Sequence, residues 1–228
     1  MTSGPGAGRP TPRALVVIPA YNEGSRVGAV VRACLEHPVR VLVVDDGSAD
    51  GTAGAARDAG AEVLSNGVNR GKGWSLRRGF DHAVAGGYDA VITMDADGQH
   101  DPACIPDFLA RIEGGCDAVI GTRRKSGSAM PYHRRFSNFF LSVVFSLLSR
   151  QWIRDTQSGY RAFSTRVLRD LMLASTGFET ESEILMKLGR RGVRFAETPI
   201  PVIYAGEASH INVARDFVRF VRVLKFRK

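Results

Sequence analysis

The sequence of 228 residues predicts an α/β fold in which a mostly parallel β-sheet is flanked by helices. From Arg13 onward, short runs rich in valine and isoleucine alternate with longer stretches of helical periodicity, which is the pattern of repeated β-α-β units. Most polar residues of the N-terminal half that could carry chemistry follow directly after those runs. Because ligands bind outside the carboxyl ends of the strands in such sheets, we expect the functional site at that edge.

The individual elements follow from the same patterns. Strands are predicted at Ala14 to Ile18, Arg40 to Val44, Glu62 to Leu64, Ala90 to Met94 and Ala118 to Ile120. Helices are predicted at residues 24–36, 51–59, 72–85 and 103–113. Farther along the chain, we expect a helical stretch around residues 165–173 and a strand pair at residues 193–204.

Composition narrows the class of protein. Hydrophobic residues make up 44% of the chain, which is enough to build a core. The three cysteines, Cys34, Cys104 and Cys116, contain no C-x-x-C pair, so we expect neither a disulfide framework nor a thiolate zinc site. No run reaches the roughly 18 apolar residues that a membrane-spanning helix needs. These features favour a cytoplasmic protein.

The net charge of +8 is unevenly divided along the chain. Residues 1–120 contain 11 Lys or Arg against 15 Asp or Glu, a net −4, whereas residues 121–228 contain 20 against 8, a net +12. A basic C-terminal half favours an anionic partner: a nucleic acid, an acidic membrane surface or a phosphorylated substrate. We do not expect a nucleic acid, because the paired aspartates would repel its phosphates and no nucleic-acid-binding module is recognisable.

We expect one folded domain at residues 14–212. Residues 1–13 are rich in Gly and Pro and lack the apolar core of a signal peptide, which predicts a disordered leader. Residues 213–228 predict a basic amphipathic helix that could bind an anionic membrane, peripherally on the inner face of the cell membrane. Packing of this helix on the sheet, with solvated arginines, is the alternative. Its basic face consists of Arg215, Arg219, Arg222 and Lys225.

Two carboxylates, Asp95 and Asp97, stand where the predicted strand VITM ends. In an extended strand, side chains two residues apart share a face, so both carboxylates could converge on one point. Two like charges held that close need a cation, and hard oxygen ligands suit Mg²⁺ or Mn²⁺ completed by phosphate oxygens of a substrate. The alternative is a solvated turn with Asp101 as the N-cap of the next helix.

Two further motifs follow predicted strands. In VLVVDDGSADGT the strand ends at Asp45 and Asp46, which could accept an N–H of a nucleobase. One alternative is a general acid or base role for these two aspartates. The other is an ordinary Asp-Gly turn with Asp50 as a helix cap. In NRGKG, Lys72 lies between two glycines at a helix start, where free amides and an ammonium could bind a phosphate.

The motifs LVVIPAYNEG, VVDDGSADGT, NRGKG and MDADGQH, in this order and spacing, resemble the family 2 glycosyltransferases of GT-A fold. RDTQSGYRAF and the GTRR…HRR stretch are similar to the branch of dolichyl- and polyprenyl-phosphate mannose or glucose synthases. The resemblance covers roughly residues 14–212, which is nearly the whole predicted domain.

The resemblance implies roles for individual residues on the donor side. Asp46 would contact the base, and Asp97 would be catalytic as well as a metal ligand. The remaining residues of the nucleoside and sugar-nucleotide pocket would be Pro19, Ala20, Tyr21, Glu23, Lys72, Asp95 and Ala96. The ligands of Mg²⁺ or Mn²⁺ would be Asp95, Asp97 and Gln99.

On the acceptor side, the resemblance implies an arginine-rich loop that binds a phosphate bidentately. Its residues would be Arg123, Arg134, Arg135 and Ser137, of which Arg123 and Arg135 would be catalytic. The family more often has two arginines, two spacers and a serine, whereas this chain reads HRRFSNFF, so the choice among the last three stays open. A hydroxyl acceptor would need a general base, for which Asp155, Glu179 or Glu181 are candidates, whereas a phosphate acceptor needs none.

Together these observations predict an inverting, metal-dependent transfer of a hexose from a nucleotide diphosphate sugar, of the GDP-mannose or UDP-glucose type, to a polyprenyl phosphate. The first alternative is a soluble family 2 transferase with a small hydroxyl or phosphate acceptor. The second is a non-catalytic protein that binds a sugar nucleotide. A sugar-nucleotide pyrophosphorylase is not expected, because PAYNEG replaces its Gly-rich loop after the first strand.

Overall fold

A computed structural model describes residues 13–123, 151, 153–177 and 179–201. Three features predicted from the sequence lie outside these residues: the leader at residues 1–12, the amphipathic helix at residues 213–228, and the acceptor-loop residues Arg134, Arg135 and Ser137. No helix in the described ranges is both long and apolar enough to cross a membrane.

Within the described ranges, seven strands form one sheet in the order β3-β2-β1-β4-β6-β5-β7. The strands are β1 Ala14–Ala20, β2 Val39–Asp45, β3 Glu62–Ser65, β4 Ala90–Thr93, β5 Ala118–Arg123, β6 Arg161–Ser164 and β7 Phe195–Ile200. Every neighbouring pair is parallel except the two that involve β6, which runs antiparallel to both β4 and β5. The mostly parallel α/β sheet predicted from the sequence is therefore confirmed.

Helices cover both faces of the sheet. They are α1 Val27–Leu35, α2 Thr52–Asp58, α3 Lys72–Ala85, α4 Ile105–Glu113, α5 Thr165–Leu168 and α6 Glu179–Arg190, with a 3₁₀ turn at Pro102–Cys104. Alternate residues of β1 point to opposite faces, so Val16 and Ile18 pack with α1 and α4, and Leu15 and Val17 with α3 and α6. A sheet buried on both sides explains why its central strands are continuous apolar runs rather than alternating ones.

The C-terminal third departs from the sequence prediction in two places. The helical stretch predicted at residues 165–173 ends at Leu168. The described part of residues 193–204 contains one strand, β7, which pairs in parallel with β5 rather than with a partner in its own segment. β6 was not predicted, because four residues (RAFS) are too few to show a periodicity.

Arg161, at the start of β6, is 1% exposed and anchors the segment that precedes it. Its guanidinium donates from Nε to the Ser158 carbonyl (2.7 Å), and its two terminal nitrogens donate to the Thr156 (2.9 Å) and Glu181 (2.7 Å) carbonyls. Five N–H donors in a fixed fork suit this task, because one side chain can satisfy several buried carbonyls. Residues 156–160 are thereby tied to the first turn of α6.

The contact between α3 and β1 can be tested with a pair of glycine substitutions. A Cβ at Gly79 would lie 2.3 Å from Cγ1 of Val17, whereas a Cβ at the exposed Gly54 in α2 would meet nothing within 4 Å. Gly79→Ala should lower the free energy of unfolding by about 1–3 kcal/mol through overpacking. Gly54→Ala should raise it by roughly 0.5–1 kcal/mol, because alanine loses less entropy in a helix. Denaturant midpoints measure both changes, and equal midpoints would contradict this packing.

Candidate active site

The candidate site lies at the edge of the sheet where β1, β2 and β4 end. These three strands are neighbours in the order β2-β1-β4, so the loops that follow them meet. β6 runs the other way, and the segment before it, residues 153–160, therefore arrives at the same edge. This is the edge at which α/β sheets bind their ligands.

The loops after β1 and β2 brace each other. The Asn22 amide donates to Oγ of Ser48 (2.9 Å), and the Ala49 amide donates back to Oδ1 of Asn22 (3.0 Å). Asn22 has a φ of 56°, in the left-handed region that asparagine tolerates better than most residues. The amide of the next residue, Glu23, donates to Oγ1 of Thr52 (2.8 Å). The two motifs PAYNEG and DDGSADGT thus form one rigid unit.

Asp46 organises the loop after β3. Its Oδ1 accepts bonds from Nδ2 of Asn66 (2.7 Å) and the Arg70 amide (2.9 Å), and its Oδ2 accepts one from the Gly71 amide (2.8 Å). A carboxylate has about four lone-pair positions, so roughly one remains for a ligand. The predicted contact between Asp46 and a nucleobase stays a prediction, and it would have to use that position.

Lys72 lies between two carboxylates at the start of α3. Its Nζ is 2.5 Å from Oδ1 of Asp95 and 2.7 Å from Oε1 of Glu181. Burial alone would lower the pKa of Lys72, but the negative charges of Asp95 and Glu181 outweigh burial and raise that pKa above its ordinary value. The ammonium is therefore charged at every physiological pH.

The amides around Lys72 are already hydrogen-bonded within the protein. The amides of Gly73 and Trp74 both donate to the Thr176 carbonyl, at 2.7 and 3.3 Å. A Cβ at Gly73 would lie 1.8 Å from Oγ1 of Thr180, so glycine is required for α3 to approach this close. The expectation that free amides in NRGKG bind a phosphate is wrong for Arg70, Gly71 and Gly73, because these amides have internal partners. A phosphate contact from the Lys72 ammonium stays a prediction.

Asp95 is held from several sides. Its amide donates to Nδ1 of His100 (3.1 Å), and the imidazole ring stacks on Tyr160 with ring centroids 5.0 Å apart. Burial lowers the pKa of His100, which favours the neutral ring that accepts this bond. Burial would raise the pKa of Asp95, but the Lys72 ammonium outweighs it and lowers that pKa to about 2. Asp95 is thus ionised and fixed in place.

Asp97 does not share an extended strand with Asp95. β4 ends at Thr93, two residues before Asp95, and Asp97 lies in a turn where its Oδ1 accepts the Gln99 amide (2.9 Å). The expectation that alternation along one strand aligns the two carboxylates is therefore wrong. The prediction of Asp101 as an N-cap is confirmed, because its Oδ1 accepts the Ala103 amide (3.0 Å) at the start of the 3₁₀ turn.

The residues at this edge fit a divalent cation that is completed by a substrate. Asp95 and Asp97 offer two hard carboxylates, and the described residues contain no cluster of three or more His, Cys, Asp or Glu that could hold a metal ion alone. Magnesium sites commonly combine one or two carboxylates with substrate phosphates. A Cβ at Gly159 would lie 2.8 Å from Oδ2 of Asp95, so only glycine leaves this carboxylate its space. Gln99 is exposed, and its predicted ligand role stays a prediction.

Arg123 and Asp155 are paired with each other. Nε of Arg123 is 2.7 Å from Oδ2 of Asp155, and its terminal nitrogen donates to Oδ1 at 2.9 Å, a bidentate arrangement. Asp155 is mostly buried, whereas about a third of the Arg123 side chain (35%) is exposed. The pair joins the end of β5 to the segment before β6 and leaves part of the Arg123 side chain accessible.

The other predicted pocket residues differ in exposure. Ala20 and Ala96 are 3% and 4% exposed and belong to the core, so a ligand could meet their backbone rather than their side chains. Tyr21 is 49% exposed at the mouth of the site. Glu23 is ion-paired with Arg26 (3.1 Å). Pro19, the residue before Ala20 at the end of β1, is partly buried.

Sequence reasoning missed three contributors to this edge. It named Glu181 only as a general-base candidate, and it assigned no role to His100 or Gly159. The glycine could have been inferred, because QSGY places a residue without a side chain next to a polar island. The partnership of Glu181 with Lys72 had no sequence signal, because 109 positions separate the two residues.

Comparisons with known proteins identify the family. Residues 15–172 match the family model of glycosyl transferase family 2. The polyprenol monophosphomannose synthase of Mycolicibacterium smegmatis is 32% identical, over 86% of this chain and 79% of that protein. The undecaprenyl-phosphate mannosyltransferase of Micrococcus luteus is 33% identical, over 84% of each.

A solved structure shares the fold. Glucosyl-3-phosphoglycerate synthase from Mycobacterium tuberculosis, in complex with Mn²⁺, uridine diphosphate and glucosyl-3-phosphoglycerate, superposes with a TM-score of 0.71 at 20% identity, covering 93% of this chain and 77% of that one. The GT-A architecture expected from the sequence is therefore confirmed. Because the family model spans more than half of the chain and the curated relatives exceed 30% identity over most of it, the chain belongs to glycosyl transferase family 2 and is a glycosyltransferase.

Proposed function

We propose that this glycosyltransferase moves a hexosyl group from a nucleotide diphosphate sugar to a polyprenyl phosphate, with inversion at the anomeric carbon. The observation that carries the proposal is the charged cluster of Lys72, Asp95 and Glu181 at the carboxyl edge of the sheet. Support for the acceptor comes from the two relatives above, whose names specify polyprenol and undecaprenyl phosphate carriers.

On the donor side, Asp95 and Asp97 would hold Mg²⁺ or Mn²⁺, with Gln99 as a further ligand. When bound, the ion would neutralise charge on the departing nucleoside diphosphate. The braced loops after β1 and β2 would receive the nucleoside, with Tyr21 at the mouth and Asp46 offering its remaining acceptor position to the base. Rigid mounts of this kind orient the donor without reorganisation during the reaction.

On the acceptor side, the exposed part of Arg123 would bind the acceptor phosphate, with Arg134, Arg135 and Ser137 completing the loop. Asp155 orients Arg123 through two hydrogen bonds, so we assign it a positioning role rather than that of a general base. A phosphate oxygen is already ionised and needs no base: it forms the new bond to the anomeric carbon, and the broken bond leaves its electron pair on the nucleoside diphosphate.

The acceptor also implies where the protein works. A polyprenyl phosphate is embedded in a membrane, so the enzyme would act at the inner face of the cell membrane, where residues 213–228 would bind anionic lipid. We also propose the domain organisation predicted from the sequence: a disordered leader at residues 1–13, a GT-A domain at residues 14–212 and a basic amphipathic helix at residues 213–228.

Asp97→Asn should lower the rate of hexose transfer about 10²–10³-fold, because a neutral amide binds the metal more weakly and leaves the departing diphosphate less stabilised. The measurement is transfer of labelled sugar from GDP-mannose and UDP-glucose to a polyprenyl phosphate and to a small phosphorylated acceptor, with Mn²⁺, Mg²⁺ or EDTA. Asp81→Asn, an exposed position on α3, is the control and should be neutral. Full activity of Asp97→Asn, together with insensitivity to EDTA, would contradict the proposed mechanism.

Arg123→Met should raise the KM for the polyprenyl phosphate at least about tenfold and leave the KM for the donor nearly unchanged, because one charge-assisted contact to the acceptor is lost. Arg111→Met, on the exposed side of α4, serves as the control. Steady-state kinetics with each substrate varied in turn give both constants.

The same assay separates the two roles of Asp155. As a positioning residue, Asp155→Asn should act on the KM for the acceptor, in the direction of Arg123→Met but less strongly. A loss of about 10²–10⁴-fold in kcat at unchanged KM is the signature of a general base and would overturn our assignment.

A further inference from the structure

Lys72 forms an ion pair with Asp95, the same carboxylate that would bind the metal in the proposed function. Its Nζ is 2.5 Å from Oδ1 of Asp95, and the side chains of Lys72 and Asp95 are 16% and 28% exposed. A divalent ion held by Asp95 would need direct contact with a carboxylate oxygen. An ammonium and a divalent cation on the same carboxylate would repel each other, so full occupancy by one disfavours the other.

The surroundings of Asp95 restrict its movement. Its backbone amide is bonded to Nδ1 of His100, and its carboxylate packs against Gly159, where even a Cβ would come within 2.8 Å of Oδ2. Lys72 can move, because its charge sits on a flexible four-carbon stem.

Glu181 provides a second position for the ammonium. Its Oε1 is 2.7 Å from Nζ of Lys72, and it belongs to the first turn of α6, which Arg161 ties to residues 156–160. A Cβ at Gly159 would also lie 3.1 Å from Oε1 of Glu181, so the carboxylates of Asp95 and Glu181 flank the same glycine. The ammonium can therefore pass from sharing both carboxylates to bonding Glu181 with little displacement.

We propose that Lys72 couples metal binding to donor binding: it occupies Asp95 in the donor-free protein, and moves toward Glu181 and the donor's diphosphate when the metal and the donor bind together. The inference rests on the proposed function, because it assumes that Asp95 is a metal ligand. Its consequence is that the donor-free protein binds the metal weakly, and that the nucleotide strengthens metal binding partly by giving the ammonium a new anionic partner.

The test is Mn²⁺ binding to the full chain, measured by calorimetry and by electron paramagnetic resonance, with and without UDP or GDP. In the absence of nucleotide, Lys72→Met should bind Mn²⁺ about tenfold more tightly than wild type, within the usual range of coupling between sites. The factor by which nucleotide strengthens Mn²⁺ binding should shrink accordingly. Sugar transfer by Lys72→Met should fall at the same time, so metal affinity and activity change in opposite directions.

Three further variants make the result specific. Glu181→Gln leaves the ammonium only Asp95 as a carboxylate partner among these three side chains and should weaken Mn²⁺ binding severalfold. Lys72→Arg keeps the positive charge, so it should bind Mn²⁺ more weakly than Lys72→Met does. Arg77→Met removes one positive charge from α3 at a residue that stacks on Trp74 and should leave Mn²⁺ binding unchanged.

The outcomes divide clearly. Unchanged or weaker Mn²⁺ binding by Lys72→Met, or equal tightening by Arg77→Met, would overturn the coupling while leaving the proposed function intact. If wild type bound no Mn²⁺ even with nucleotide, and transferred sugar equally well in EDTA, the metal itself and the coupling would both be refuted. Should Lys72→Met fail to fold, as judged by circular dichroism, Glu181→Gln still decides: Mn²⁺ binding as tight as in wild type contradicts the proposal.

Discussion

The ion pairs that Lys72 makes with Asp95 and Glu181 join three segments that are distant in the chain: the start of α3, the loop after β4 and the start of α6. Removing three charged groups from water is costly, and the mutual attraction offsets this cost only when the geometry is close. Glycines at positions 73 and 159 make the close geometry possible, because side chains there would collide with Thr180 and Asp95. The charged cluster at this edge therefore depends on the close packing that these two glycines permit.

A second group of hydrogen bonds makes the remainder of the edge rigid. Asp46 closes the loop after β3 through three bonds, and Asn22 and Ser48 lock the loops after β1 and β2 to each other. A rigid edge suits a transferase, because a donor that is bound in one orientation loses little further entropy on the way to the transition state. Arg161 makes residues 156–160 rigid as well, by hydrogen bonds from within the core to the Thr156 and Ser158 carbonyls.

The N-terminal half could be predicted from the sequence in detail, because most of its strands are mainly apolar runs bounded by turn residues. All five strands predicted there exist, and residues 72–85 form the helix with the predicted bounds. The motifs also identified Lys72 and Asp95. What could not be predicted is how side chains are shared: Asp46 with backbone amides, Lys72 with Glu181, and Arg123 with Asp155. Such pairings depend on three-dimensional approach, which neither periodicity nor composition encodes.

The position of β6 has a consequence for how the chain comes to be folded. β1 to β4 can pair among themselves as soon as residue 93 has been made, whereas β5 pairs only with β6 and β7, which are both synthesised later. During synthesis, β5 therefore has no strand to pair with and one edge of β4 stays unpaired until residues 161–164 emerge from the ribosome. β6 then pairs with both β4 and β5. Sheet completion is therefore a long-range event, and we expect the unpaired strand edges to make the nascent chain most prone to aggregation during that interval.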